Sequence, residues 1–249
     1  RWGMTDCIAR TTPLEKGLDS MRPIIGTTAD ALATQSTFRR LVGELMWLRC
    51  RADIQRPVNF LCRFLSCAGP TQLKWAKQVL QYLKGTPDMG IVFQAGKDLQ
   101  LVGAVDADLA GDLHTSKSTT GFYLRLGDVG TVAVRSGLQS LVSDSTAMAE
   151  TYAGKECLRE LMWHREFQKE IGNEQLQATR IRADNQAMIA QSKNTANHMQ
   201  SKHYRIAQAF NREYVTSRMA WATSTTNTRK RTRLICSPRS STGSRTSAI

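Results

Sequence analysis

After Gly85 the spacing of apolar residues changes from about 3.6 to about 2, and this change of period divides the chain into a helical part and a sheet-forming part. Before it, Leu41, Val42, Leu45, Met46 and Leu48 recur at helical spacing, Pro57 interrupts, and Val58, Leu61, Phe64 and Leu65 resume the pattern. Thr71 is placed to cap a third helix carrying Leu73, Ala76, Val79, Leu80 and Leu83, with Gly85 as its stop. The reading is a loop-like connector over 1–35, rich in Thr, Gly and Pro, followed by a small helical connection over 36–88.

Beyond the boundary, Gly90–Gln94, Leu99–Asp106, Gly121–Leu126 and Val132–Ser136 read as strands separated by short Gly, Asp and Ser turns, an antiparallel meander. Ala147–Gln168 then reads as a long helix, Thr179–Ala183 as a β-prone run and Gln186–Ser192 as a short helix. Residues 200–216 give a last amphipathic helix with Tyr204, Ala207, Phe210 and Tyr214. The succession predicts an α/β domain over 89–220, a mixed sheet with flanking helices that supply its second layer. From 221 to 249 the chain is mostly Thr, Ser and Arg, without a period, and reads as a disordered tail.

In that arrangement three carboxylates fall in a fixed order: Asp106 at the end of the first main strand, Glu150 in the first turns of the long helix, Asp184 just past the last strand. Those places converge at one edge of a sheet. Carboxylate oxygens are the hard ligands that Mg²⁺ or Mn²⁺ takes, and a cluster of them is costly until a cation neutralises it. Each also has a plainer reading: Asp106 and Asp184 as strand-end or turn residues, and Glu150 as a partner of the helix dipole. Asp108 and Asp112 read as turn residues or outlying charges, Asn185 and Gln186 as caps of the next helix, and Trp47, Trp75 and Trp163 as core or interface packing.

Composition narrows the partners. Lys and Arg outnumber Asp and Glu by 34 to 21, a net charge of +13, which favours phosphate-rich partners. Residues 224–249 hold six of the basic residues and no acidic one, so the body remains basic at +7. The six cysteines (Cys7, Cys50, Cys62, Cys67, Cys157, Cys236) lie at irregular spacings without C-x-x-C, and read as free thiols of a reducing compartment. His198 and His203, five apart, are a weak metal signal that solvation explains better. No apolar run reaches the roughly 18 residues that span a bilayer, so no membrane partner is expected. An opening on Arg1 rather than Met suggests a piece of a longer chain.

Several segments carry a resemblance. Arg40-Leu41-Val42-Gly43-Glu44-Leu45-Met46-Trp47-Leu48, Arg56-Pro57, Val79-Leu80-Gln81-Tyr82-Leu83-Lys84-Gly85-Thr86, Asp106-Ala107-Asp108-Leu109-Ala110-Gly111-Asp112, Ser118-Thr119-Thr120-Gly121 and Asp184-Asn185-Gln186 resemble, in order, the C-terminal part of Ty1/copia-type retrotransposon Pol polyproteins. Cys7 with Met4-Thr5-Asp6 and Thr12-Pro13-Leu14 fits the start of the same block, and the resemblance covers roughly residues 1–220. It implies the tail of a reverse transcriptase region, a connection, and a ribonuclease H domain with Asp106, Glu150 and Asp184 as metal-binding catalytic residues. Two Mg²⁺ or Mn²⁺ ions roughly 3.5 to 4 Å apart would then serve the cleavage of RNA in RNA/DNA hybrids. His203, in Ser201-Lys202-His203-Tyr204, matches a Lys-His pair of the family, with an implied part in proton or product movement. Lys117, Arg135, Lys155, Lys202 and Arg205 become candidate phosphate contacts. The implied partners are the hybrid and the rest of the Pol polyprotein, and the implied location is intracellular, in the cytoplasm or a virus-like particle.

Departures from the family pattern matter too. Leu109 stands where the family commonly has Trp, Met148 where it has Glu, and Arg205 where it has an acidic residue. After Trp221 no Asn-Pro-Ala-Asp-Leu-like motif supplies the family's fourth carboxylate, as a frameshift in the coding DNA would produce. This keeps two further readings open: an impaired remnant that binds nucleic acid without cutting it, and, more weakly, an integrase-like transferase.

Overall fold

The computed structural model describes residues 2–15, 29–48, 50–96, 98–193, 202–217 and 219–223. The expected disordered tail, apart from residues 221–223, lies outside them, as do His198 and Cys236.

The helical unit opens with α1 (Ala29–Met46), so the loop expected through residue 35 gives way seven residues early. The Ala-rich start, Ala29-Asp30-Ala31-Leu32-Ala33, favours helix although little of it is apolar enough to show a period. Phe38, Leu41, Val42 and Leu45, at positions i, i+3, i+4 and i+7, are at most 2% exposed and form the face that α1 buries. A turn of 3-10 helix (Ala52–Ile54) leads into α2 (Gln55–Cys62). Pro57 sits in the first turn of α2, where its missing N–H leaves no bond unmade. The cap of α3 (Pro70–Gly85) is Gly69 rather than Thr71: the Gly69 N–H donates to Gln72 Oε1 at 3.0 Å and Pro70 fills the first helical position. Phe60, Phe64 and Trp75 pack with ring centroids 5.2 to 5.9 Å apart at the centre of this core. Trp47 and Trp163, in contrast, stand 87% and 60% exposed, so of the three indoles only Trp75 is core.

A buried ion pair ties the unit together. The Arg51 guanidinium, 6% exposed, donates to both Asp53 oxygens (3.0 and 2.7 Å) and to the Thr86 carbonyl (2.8 Å), and the Tyr82 hydroxyl donates to Asp53 Oδ2 at 2.7 Å. Burial pushes the Tyr82 phenol up to about 12, with the Asp53 charge adding to it. Burial alone would raise the Asp53 carboxyl, but the hydrogen bonds from Arg51 and Tyr82 hold it below the usual value.

The sheet has five strands: β1 (Leu101–Asp112), β2 (Lys117–Leu126), β3 (Gly130–Leu138), β4 (Thr179–Ala183) and β5 (Met219–Thr223), in the order β3-β2-β1-β4-β5. The first three form the expected antiparallel meander, while β4 runs parallel to β1 and β5 parallel to β4. Gly90–Gln94 is not a strand. Its one backbone bond to the meander is Gln94 N–H to the Val129 carbonyl at 3.0 Å, and Val92 and Phe93 are 42% and 61% exposed, too little pairing or burial to hold a ladder. β5 crosses the boundary expected at 220. Five residues long and preceded by Arg218, it is too short to stand out by alternation, and its pairing with β4 creates it.

Between β3 and β4 runs α4 (Thr146–Glu170), whose Ala153, Cys157, Leu158 and Leu161 are 0% exposed and pack on Leu101, Val105, Phe122 and Leu124 of the sheet. The helices α5 (Gln186–Lys193) and α6 (Lys202–Ser217) connect β4 to β5. At Gly154 an added Cβ would lie 3.1 Å from Asn211 Nδ2 and 3.2 Å from the Trp221 ring, so the absent side chain lets α6 and β5 close on α4. The Asn211 amide donates to the Thr151 carbonyl across that contact at 3.0 Å. None of the helices is long and apolar enough to cross a membrane among the described residues.

Removing one member of a buried ion pair leaves an uncompensated charge, so Asp53→Ala is expected to destabilise the chain by about 3 kcal/mol in urea unfolding. Because the Asp53 carboxyl is lowered in the fold, its contribution is present above its unfolded value of 3.8 and is lost as pH falls below it, so the penalty of the substitution should shrink on acidification.

Candidate metal centre

Three elements bring the three carboxylates together. Asp106 lies in the middle of β1 rather than at its end, because pairing with β2 continues past it, Asp106 opposite Gly121 and Asp108 opposite Thr119, before a bulge near Ala110 (φ 51°). The side-chain parity of β1 sends Val105 into the α4 packing and Asp106 to the exposed face. Asp184 follows the last residue of β4, and Asn185 Oδ1 accepts the Met188 N–H at 2.9 Å, capping α5. Glu150 is the fifth residue of α4, beyond the first turn where a helix dipole acts strongly, which weakens the structural explanation for it.

The start of α4 is fixed by two polar anchors. Ser145 is the cap, its hydroxyl accepting the Met148 N–H at 3.3 Å. The buried Gln139 amide donates to the Ala149 carbonyl at 2.9 Å and to Thr120 Oγ1 at 3.1 Å, tying the helix to β2. Ser is a capping residue type, so Ser145 carries a local signal that a helix start expected at Ala147 passes over, whereas Gln139 carries none because its partners lie on other elements.

With these anchors in place, one ligand oxygen each of Asp106, Glu150 and Asp184 lie within 4.8 Å of one another. Glu150 is 2% exposed, while the two aspartates reach the surface. One Glu150 oxygen accepts the Ala107 N–H at 3.3 Å, and Oε2 is buried with no hydrogen-bond partner. Burial, then the charges of Asp106 and Asp184, push its carboxyl up to about 8. An orphaned buried oxygen beside two further carboxylates fits a hard divalent cation: the cation would neutralise the charge and take up the unused lone pairs.

The other candidates fall elsewhere. His203 is exposed in the first turn of α6 and is not part of the carboxylate cluster. Asp112 is 5% exposed, paired to Arg63 at 3.4 Å and hydrogen-bonded to the Thr115 hydroxyl, a structural role. Arg135 pairs with Glu156 at 3.0 Å, the Lys155 ammonium lies 5.8 Å from the Phe210 ring centroid, Lys117 stands opposite Asp112, and Arg205 is exposed. The Lys202 side chain lies outside the described residues.

No protein-family model matches the chain. It is 33% identical over 219 residues to the retrovirus-related Pol polyprotein from transposon TNT 1-94 of Nicotiana tabacum, a match spanning 86% of this chain and 16% of that protein. It is also 36% identical over 124 residues to the secreted RxLR effector protein 161 of Plasmopara viticola, across 49% of this chain and 87% of that one. Among solved structures, ribonuclease H1 of Halobacterium salinarum aligns with 50% of this chain and 83% of its own at 19% identity and a TM-score of 0.35. The fold on which the carboxylates sit is a mixed five-stranded sheet, β3-β2-β1-β4-β5, with flanking helices. The chain belongs to the copia-type retrotransposon Pol polyproteins. It spans about a sixth of the tobacco relative's length.

Because the Glu150 carboxyl is raised in the fold, its contribution to stability is complete below the unfolded value of 4.5 and is lost as pH rises through about 8. In metal-free buffer, Glu150→Gln should therefore be more stable than the parent near pH 8 by the order of a few kcal/mol, with the difference vanishing below pH 4.5. Thermal melting across pH, with and without Mg²⁺, checks this, and Mg²⁺ should raise the melting temperature of the parent alone.

Proposed function

We infer that this chain is the ribonuclease H module of a transposon Pol polyprotein and hydrolyses the RNA strand of RNA/DNA hybrids with divalent-metal assistance. The observation that carries the reading is the convergence of Asp106, Glu150 and Asp184 within 4.8 Å, with the Glu150 Oε2 unpartnered and buried. In the reaction a water oxygen bonds to phosphorus as the bond to the 3′ oxygen breaks, leaving a 3′ hydroxyl and a 5′ phosphate. Bound Mg²⁺ or Mn²⁺ supplies Lewis-acid activation and charge neutralisation for such a displacement.

The chain's own residues do the rest. Asp106 and Asp184 present their oxygens from the exposed side, where a phosphodiester can approach. Glu150 closes the buried side, held in orientation by the Ala107 N–H and by the packing of α4. The net charge of +13 draws a polyanion toward the chain before any specific contact forms. Within the polyprotein the helical unit would join the module to a reverse transcriptase region, and the setting would be the cytoplasm or a virus-like particle.

A second reading has an observation of its own. Among the described residues the cluster holds three carboxylates. A chain of that kind binds nucleic acid and cleaves it weakly or not at all.

A labelled RNA/DNA hybrid incubated with Mg²⁺ or Mn²⁺ separates the two. Cleavage by the parent that falls roughly 10²-fold or more in Asp106→Asn supports the nuclease, by analogy with the loss of one preorganised electrostatic group. Equal traces from both proteins leave the binding reading alone.

A further inference from the structure

Of the three carboxylates, Asp106 does not sit on an open sheet face. A cleft of about 440 Å³ runs beside Asp106, and its opposite wall belongs to α2 of the helical unit. Arg56, Asn59, Phe60 and Arg63 line that wall at positions i, i+3, i+4 and i+7, so one face of the α2 segment looks across the cleft at Asp106.

The two arginines of the wall are not equivalent. Arg63 is committed to the fold: one guanidinium nitrogen lies 3.4 Å from Asp112 Oδ1, another donates to Thr119 Oγ1 at 3.1 Å, and the group lies 5.5 Å from the Phe60 ring centroid. Arg56 is exposed and makes no ion pair or hydrogen bond among the described residues. A planar, permanently charged fork, anchored on a packed helix and facing a groove, suits a phosphate oxygen pair. A strand whose scissile phosphate lies at Asp106 can place a neighbouring phosphate in the cleft that Asp106 shares with α2.

We propose that Arg56 binds a phosphate of the nucleic-acid strand next to the one at Asp106, making the helical unit a wall of the substrate groove rather than only a linker. The proposal rests on reading the carboxylate cluster as a nuclease site. It gives the Arg63–Asp112 contact a purpose: this contact fixes the distance across the groove, and Arg56 uses that distance.

The test is hybrid affinity across a salt series, in the full chain carrying Asp106→Asn to suppress cleavage. Adding Arg56→Ala should weaken binding to a labelled RNA/DNA hybrid about tenfold and lower the slope of log affinity against log salt by about 0.9, the signature of one lost phosphate contact. Arg56→Lys should keep the slope and recover part of the affinity. Lys169→Ala is the control for general charge loss, since 19 residues of α4 separate it from Glu150, about 28 Å at the rise of a helix. It should leave the slope unchanged. Melting temperatures should be equal throughout, because both side chains are exposed. An Arg56→Ala protein with the affinity and slope of its parent, a Lys169→Ala protein with the same loss, or no measurable hybrid binding overturns the proposal. The two readings fail separately: loss of the salt-slope effect removes Arg56 while leaving cleavage by the unsubstituted chain intact, and an unsubstituted chain that does not cleave removes the nuclease while leaving the slope effect.

Discussion

A buried carboxylate facing two others has to be held in place by something else, and here that is the seam between α4 and the sheet. The burial of Glu150 opposes its own ionisation, and Asp106 and Asp184 add repulsion. Against this stand Leu124, Leu158 and Leu161, each 0% exposed, which contribute about 2 kcal/mol apiece, so a few side chains of the seam offset a strained charge. The polar anchors are of another kind. Gln139 and Asn211 each satisfy a carbonyl in the first turns of α4, so the helix cannot slide along the sheet without leaving buried groups unpaired.

The parallel strand β4 is the second necessity. A meander alone would place Asp106 with no partner from the other side of β1. Because β4 pairs with β1 through Val102–Arg180, Gly103–Ile181 and Ala104–Arg182, the residue after its end emerges level with Asp106, and that residue is Asp184. Register in the sheet thus sets the spacing of the cluster, and the helical unit reaches the same sheet through Arg63, Asp112 and Thr119.

Where apolar spacing was strong, the sequence was readable. The bounds of β4 were expected at Thr179–Ala183 and are found there, and the carboxylates of three separate segments do meet. Three kinds of feature were harder to read. Pairing extended β1 to Asp112 and β2 back to Lys117, through Asp, Gly, Ser and Thr residues whose own preferences point to turns. Non-local pairing created β5 and denied a strand to Gly90–Gln94, though both runs mix apolar and small residues in much the same way. Contacts between units, such as the Arg63–Asp112 pair, depend on a three-dimensional closeness that no spacing along one element encodes.

The same seam carries a thiol. Cys157 is 0% exposed on the sheet-facing side of α4, and burial, with the nearby Glu160 charge, pushes it up to about 12. As a neutral, enclosed group it is inert toward alkylating reagents while the helix stays seated. Its rate of modification is therefore a clock for opening of the layer beneath Glu150, one that runs on local unfolding and needs no probe to be introduced.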